Sequence, residues 1–420
     1  MSLMNLKCTI FECHEKFDIQ KNIEKVLQNH INILPEEKDA LILLKPNLNS
    51  DMCALTGNTT DLRILVEVIK FLKSKKYKNV VIGDGTSSGF LTTKINVISR
   101  LKIDKLSKKF GYNTLDLNNA QYNEVNFGNK KKIKIAKVCF DADLFINLPK
   151  IKTHAEAGIS VCLKNMIGCV CGLDKQKVHD DLPKNILKLN EIIKPHLHIV
   201  DGLIAMEGTG PSRGIPKKMD LILSGTDPYL IDLVCTKIME LDYKDIPYLN
   251  IAEEKGLITA HHHEILNSII INKSISKKFD IPSPNSAYSF IFHPKHRKYF
   301  IKMRYSPGFY TLFSLDIVSK ILFALGIRQD MFVKKDDTIQ KIYIDEKKCN
   351  NCNLCGTYCP LNIPYNKINE EDNGCINCLY CFFVCPKKAI KLEGDEGYLS
   401  YQIEHYRYLI NNIITEKSII

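Results

Sequence analysis

Short apolar runs and stretches of helical periodicity alternate over the first part of the chain. Leu41 to Leu44 is a strand-length run ended by Lys45-Pro46-Asn47. Leu62, Leu65, Val66, Ile69 and Leu72 then recur at the three- and four-residue spacing of a helix, which Thr60 or Asp61 can cap. The same alternation returns at Val80–Ile82 before Gly83-Asp84-Gly85 and at Leu144–Ile146 before Asn147-Leu148-Pro149. Leu197–Val200 before Asp201-Gly202 and Leu221–Leu223 before Ser224-Gly225 complete the series. Apolar runs that do not alternate, separated by helices, predict an α/β domain over residues 1–275, a mostly parallel sheet with flanking helices. Open sheets of this kind bind ligands beyond the carboxyl ends of their strands, above all where the strand order reverses. The polar turns that close these runs are therefore where a site is expected.

The pattern changes over residues 276–340, an aromatic and basic connector that includes His293-Pro294-Lys295-His296-Arg297-Lys298. Phe309 to Ile327 is the most apolar stretch of the chain, but Asp316 and Lys320 interrupt it. That suits a helix docked on protein better than one crossing lipid, while the basic flank leaves a membrane-surface helix open. Lys341–Asp345 and Ala389–Leu392 read as two short partner strands bracketing a compact module over residues 341–396. Tyr398 to Ile414 reads as an amphipathic segment within a helical tail, residues 397–420.

Cysteine supplies the sharpest chemistry. Of 16 cysteines, eight fall between Cys349 and Cys385. Cys349, Cys352, Cys355 and Cys359 before Pro360 spell C-x2-C-x2-C-x3-C-P, and Cys375, Cys378, Cys381 and Cys385 before Pro386 spell it again 26 residues later. Two such runs in tandem are the ligand pattern of a small α+β, ferredoxin-like domain with two [4Fe-4S] clusters. Three thiolates at x2 spacing curl around one cubane, and the fourth, stopped by proline, reaches the other. The expected sets are Cys349, Cys352, Cys355 and Cys385 for one cluster and Cys375, Cys378, Cys381 and Cys359 for the second. Zinc, which favours closed sites of paired C-x2-C knuckles, fits this spacing poorly. Cys162, Cys169 and Cys171 match no cluster spacing and read as buried thiols, as do the scattered cysteines.

The formal charge of +11 is uneven, since residues 341–396 hold 7 basic against 8 acidic residues. A basic body beside a near-neutral module suits an anionic ligand or an acidic partner, such as an electron donor or acceptor protein. No nucleic-acid-binding module accompanies the charge, so nucleic acid is not expected. The start of the chain has no secretory apolar core, and no stretch is long and apolar enough for a membrane span, so a cytoplasmic location is expected.

The candidate ligand-binding residues lie in four polar clusters. Lys45 and Asn47 precede Gly57-Asn58-Thr59-Thr60, which opens a helix whose amides could take an anion. Asp84 follows the next strand. Lys150, Lys152 and His154 alternate on an extended segment, so two cations and an imidazole share one face, with Lys164 and Asn165 soon after. Glu207-Gly208-Thr209-Gly210-Pro211-Ser212-Arg213-Gly214 reads as a glycine loop. No P-loop or dinucleotide fingerprint is present. Asp84 and Asp201, each before glycine, read equally as turn residues, and Asp227-Pro228 reads as a helix start. His261-His262-His263 is expected in a loop.

Taken together, Lys45-Pro46-Asn47, Gly83-Asp84-Gly85, Leu148–His154, Leu163–Gly168 and Asp201-Gly202 with Glu207-Gly208 resemble the family labelled domain of unknown function 362, fused to a C-terminal double-cluster ferredoxin. The resemblance, distantly shared with the N-terminal domain of lactate racemases, implies an α/β fold and a small-molecule site, and it supplies no reaction. The expected function is an iron–sulfur oxidoreductase. Lys45, Asn47, Asp84, Lys150, Lys164 and Asn165 would hold an anionic substrate, and Lys152 and His154 would act on it. A dedicated electron carrier or maturation scaffold, and a redox-sensing ligand- or metal-binding protein using Asp84, His154 and Asp201, are the alternatives.

Overall fold

In the computed structural model residues 7–128, 131–281, 308, 311–312, 315–325 and 332–415 are described. Thirteen strands are named here: β1 (Cys8–Glu12), β2 (Ile42–Pro46), β3 (Val80–Asp84), β4 (Asn113–Asp116), β5 (Tyr122–Asn126), β6 (Lys132–Ala136), β7 (Leu144–Leu148), β8 (Lys150–His154), β9 (Gly158–Ser160), β10 (Leu197–Thr209), β11 (Arg213–Gly225), β12 (Lys341–Ile344) and β13 (Ile390–Glu393). The main sheet runs β1-β11-β10-β7-β2-β3-β4, with β8 beside β10 and β9 beside β8. Its centre, from β10 through β7, β2 and β3 to β4, is parallel, while β11 adds antiparallel to β10 and β1 to β11. β2 and β7 are buried throughout, because helices cover both faces of the sheet.

The chain leaves β2 toward β3 and β4 on one side, and β7 and β10 lie on the other. The order therefore reverses at the β2/β7 pair, whose last partners are Lys45 with Asn147 and Pro46 with Leu148. Past that point β2 stops, but after Pro149 the chain runs on as β8 along β10. A crevice thus opens at the carboxyl ends of β2 and β7, where open α/β sheets bind ligands.

β10 and β11 are each 13 residues long, well beyond the apolar runs that mark them in the sequence. The β11 extension is mostly polar, while that of β10 carries a second apolar run, Leu203-Ile204-Ala205-Met206, separated from the first by Asp201-Gly202, so apolar periodicity alone does not join the two runs into one strand. The expected glycine loop is the tip of this hairpin, with Glu207 opposite Ile215, Gly208 opposite Gly214 and Thr209 opposite Arg213. Gly57 lets the segment after β2 settle on the hairpin, because it has φ +77° and an added Cβ would stand 2.3 Å from the Ala205 carbonyl oxygen.

Asp61 caps the helix Leu62–Ser74 by accepting from Arg63 N, and Asp227 caps Pro228–Ile238 with proline at the helix start. The three consecutive histidines are not in a loop. They lie in the helix Ala260–Ser268, whose start is closed by a reciprocal Thr259–His262 cap.

In the C-terminal region β12 and β13 pair antiparallel, Lys341 with Glu393 through Ile344 with Ile390. Between them the two cysteine runs fold alike. Helices Leu354–Tyr358 and Tyr380–Val384 begin at the same offset within each run. Left-handed residues Asn351, Asn353 and Asn362 recur as Asn377, Leu379 and Lys388, each 26 positions later. The helix Ile403–Thr415 follows, with Tyr406, Ile410 and Ile414 buried. Most of the aromatic connector, including His293–Lys298, lies outside the described residues, within which the apolar stretch forms the helix Asp316–Ala324. No helix among the described residues is long and apolar enough to cross a membrane.

Candidate functional site

The reversal crevice is lined with lysine and asparagine. Lys45, Lys150 and Lys152 are all fully buried, which a charged ammonium tolerates only with compensating partners. Lys45 Nζ meets Asp84 Oδ1 at 2.8 Å and Lys150 Nζ meets Asp201 Oδ2 at 2.8 Å. Each carboxylate also anchors backbone. Asp84 Oδ2 accepts from Leu48 N at 2.6 Å, and Asp201 Oδ2 accepts from Asp61 N at 2.6 Å. The helix-opening amides expected to take an anion are therefore occupied by the chain itself. Arg63 N is bonded to Asp61, and Leu62 N donates to Tyr380.

Lys152 has a different environment. Its Nζ donates to Asn47 Oδ1 at 2.8 Å, Asn49 Oδ1 at 2.8 Å and the Asn58 carbonyl at 2.6 Å, all neutral oxygens. Burial, with Lys164 and Lys150 nearby, pushes this ammonium well below its ordinary range. The asparagines continue as a directed chain. Asn47 Nδ2 donates to Asn165 Oδ1 at 2.8 Å, Asn165 Nδ2 donates to Asn147 Oδ1 at 2.7 Å, and Asn147 Nδ2 lies 2.9 Å from His198 Nδ1. His198 is buried, its Nε2 has no hydrogen-bond partner, and burial brings its pKa down to about 4. Asn147 and His198, the inner half of this chain, were not singled out by sequence reasoning. Both are ordinary strand residues by pattern, and only the β7/β10 pairing brings them together.

His154 ends β8 and is 6% exposed. Its Nδ1 accepts from Glu156 N at 3.0 Å and Ala157 N at 3.1 Å, so the neutral ring carries its proton on Nε2. Lys164 is half-buried and close enough to Lys152 to depress it. On the β3 side, Lys175 donates to Thr86 O at 3.1 Å and to Asn118 Oδ1, and burial lowers its pKa to about 8. Lys175 was also missed, because it comes from a short helix far along the sequence. Asp84 and Asp201 are each committed to a lysine, and no trio of metal-ligating side chains forms around them or elsewhere among the described residues.

Two of the eight clustered cysteines feel the other members of their expected sets, whereas Cys381 also feels Cys355 of the other set. Burial raises the Cys355 thiol to about 11, with Cys352, Cys385 and Cys349 adding to it. Burial raises Cys378 well above its ordinary value, with Cys359, Cys375 and Cys381 adding to it. Backbone amides point at the sulfurs: Asn351 N to Cys349 at 3.4 Å, Asn377 N to Cys375 at 3.3 Å and Ala389 N to Cys385 at 3.2 Å. Such N–H···S contacts are the outer-shell interactions that cluster thiolates accept. Cys162, Cys169 and Cys171 are buried in the core.

The second cysteine run faces the body of the protein. Tyr380, between Cys378 and Cys381, is buried, and its hydroxyl accepts from Leu62 N at 3.0 Å. Arg63 stacks on Tyr358 at 4.6 Å. Arg100 binds Asp51 at 2.7 Å, Asp336 at 2.8 Å and the Val333 carbonyl, and lies 4.0 Å from the Tyr398 ring centroid. Lys102 pairs with Asp337 at 2.8 Å.

The comparisons reach parts of this chain. Over 132 residues, 30% of this chain and 41% of the relative, it is 36% identical to a thylakoid-associated protein from Synechocystis sp.. Over 58 residues, 14% of this chain and 23% of the relative, it is 41% identical to an uncharacterized protein from Methanocaldococcus jannaschii. The chain thus spans less than half the length of either curated relative. A solved lactate racemase apoprotein from Thermoanaerobacterium thermosaccharolyticum covers 57% of this chain and 60% of its own at 14% identity and a TM-score of 0.32. The stretch that builds the crevice, residues 42–237, matches the family model described as Domain of unknown function (DUF362).

Proposed function

We propose that the C-terminal module holds two [4Fe-4S] clusters and passes single electrons to a small anionic molecule bound at the β2/β7 crevice. Two runs of four cysteines at the spacing of cluster ligands, with amides aimed at their sulfurs, support two cubanes, although no three of them stand close enough to hold an ion before a cluster gathers them. The clusters would supply one-electron chemistry at low potential. A redox partner protein would reach the clusters from solvent, where Cys352 of the first run and Cys375 of the second are exposed.

The observation that carries this reading is the route from the second cysteine run to the crevice. Tyr380 touches Leu62, the amide of Asp61 is held by Asp201, and Asp201 holds Lys150. Lys152 is held only by neutral oxygens, so a bound anion would supply the counter-charge that restores its ammonium, and the neutral His154 ring carries its proton on Nε2. The test is anaerobic purification: about eight irons and eight sulfides per chain are expected, with an EPR signal after dithionite. Colourless protein, or zinc alone, would remove the redox reading. Lys152→Ala should keep both clusters and lose binding of the anion, and undiminished binding would remove this crevice as the site.

A dedicated electron carrier is the second reading. It is favoured by the neutralisation of Lys45 and Lys150 by the protein's own carboxylates. Reduced protein that shuttles electrons but binds no small anion would decide for it.

A further inference from the structure

Among the described residues, the helix Asp316–Ala324 is docked by one side. Ser319 is buried, Phe323 stands edge-on to His405 with centroids 5.2 Å apart, and Lys320 lies 4.2 Å over the ring of Tyr401. Away from those contacts Ile317, Ile321 and Leu325 follow one another at four-residue spacing and so form a stripe. They are 71%, 54% and 66% exposed, and Leu312 and Leu315 just before them are about half exposed. Isolated exposed aliphatic residues are ordinary, but a contiguous stripe marks a surface that meets something apolar.

Charge distinguishes the possible occupants. The 35 residues before this helix, 281–315, contain five Lys or Arg (Lys295, Arg297, Lys298, Lys302 and Arg304), no Asp or Glu, and nine aromatic residues. A second copy of the chain would bring two such cationic stretches together, which repel. An acidic protein would match the cations but gives no reason for so many aromatic rings. An anionic bilayer surface answers to all three features: headgroups attract the lysines and arginines, Tyr and Phe favour the headgroup boundary, and the aliphatic stripe enters the acyl region. We infer that the Ile317–Ile321–Leu325 stripe docks the protein on an anionic lipid surface, as a peripheral and reversible contact.

The experiment uses the full chain and extruded vesicles, either pure phosphatidylcholine or an equal mixture with phosphatidylglycerol, with binding read by co-sedimentation. Wild-type protein should bind the mixed vesicles, bind pure phosphatidylcholine far less, and release as salt is raised. The double variant Ile317→Asp, Ile321→Asp should bind at least about tenfold more weakly, since two aliphatic side chains no longer leave water. The milder pair Ile317→Ser, Ile321→Ser should weaken binding in the same direction, and an unchanged thermal unfolding curve in either pair shows that the fold is intact. Failure of wild-type protein to bind mixed vesicles, or binding by both variant pairs as tight as that of wild type, would overturn the inference. A wild-type dimer that the serine pair converts to monomer would overturn it too, by assigning the stripe to self-association.

Discussion

The backbone N–H of Leu62 donates to the phenolic oxygen of Tyr380 at 3.0 Å, with both groups buried. A residue lying between two cysteines of one module thereby caps a helix of the other, although 318 positions separate them. Tyr380→Phe keeps the ring and removes only the acceptor, leaving a buried amide unpaired. A loss of about 1–3 kcal/mol of stability is expected, with the iron content unchanged. Denaturant unfolding alongside iron analysis checks it, and unchanged stability would mean that the amide finds water instead.

Arg100 fastens the same interface from another direction. One guanidinium serves the buried Asp51, Asp336 and the Val333 carbonyl, and lies against Tyr398. Arg100→Ala would leave the Asp51 charge in a buried setting without its cation, at a cost of about 3–5 kcal/mol. Arg100→Lys should recover little, because an ammonium cannot reproduce a planar fork that reaches three partners. Limited proteolysis between the two modules provides the readout. Equal resistance of wild type and Arg100→Ala would show that the apolar contacts alone hold them.

How much of this was legible in the sequence varied with the physics involved. The parallel core strands were visible because both of their faces are buried, which makes β2 and β7 continuous apolar runs. The cysteine runs were visible because covalent spacing carries the ligand pattern, and the matching left-handed residues show the same repeat in the backbone. The length of β10 and β11 was hidden, since Asp201-Gly202 and a register shift interrupt the apolar pattern of β10 and the matching part of β11 is mostly polar. The crevice lysines were recognisable as a group, but their partners were not. Asp201 follows Lys150 by 51 positions and Asp84 follows Lys45 by 39, and only the strand order brings each pair together. An apparently open cationic patch is therefore largely an internally neutralised one.

Cys378 and Cys352 should respond differently to loss of sulfur. Cys378 lines a cavity against the body together with Leu62, Arg100 and Tyr398, whereas Cys352 is exposed. Cys352→Ala should reduce iron by about half and leave global stability near that of the other cluster-retaining forms. Cys378→Ala should also halve the iron, but it should loosen the interface as well, seen as faster amide exchange across the helix Leu62–Ser74. Identical exchange in the two variants would mean that the second cluster does not brace the contact.

His198 predicts how the crevice responds to acid. Burial lowers its pKa from 6.5 to about 4, so the folded protein keeps the ring neutral while the unfolded chain takes a proton near pH 6.5. A depressed folded value means that the unfolded state binds more protons between these two pH values. The contribution is present in full above pH 6.5 and is lost as pH falls toward 4, up to about 3 kcal/mol over that window. The asparagine chain gives the effect a structural reading, because protonation would place a charge on Nδ1, which faces Asn147, and beside an Nε2 that has no acceptor. His198→Gln cannot titrate and should flatten the difference in unfolding free energy between pH 7 and pH 4.5 relative to wild type. A variant that loses stability as steeply as wild type over that range would place the acid sensitivity in other groups and remove His198 as its source.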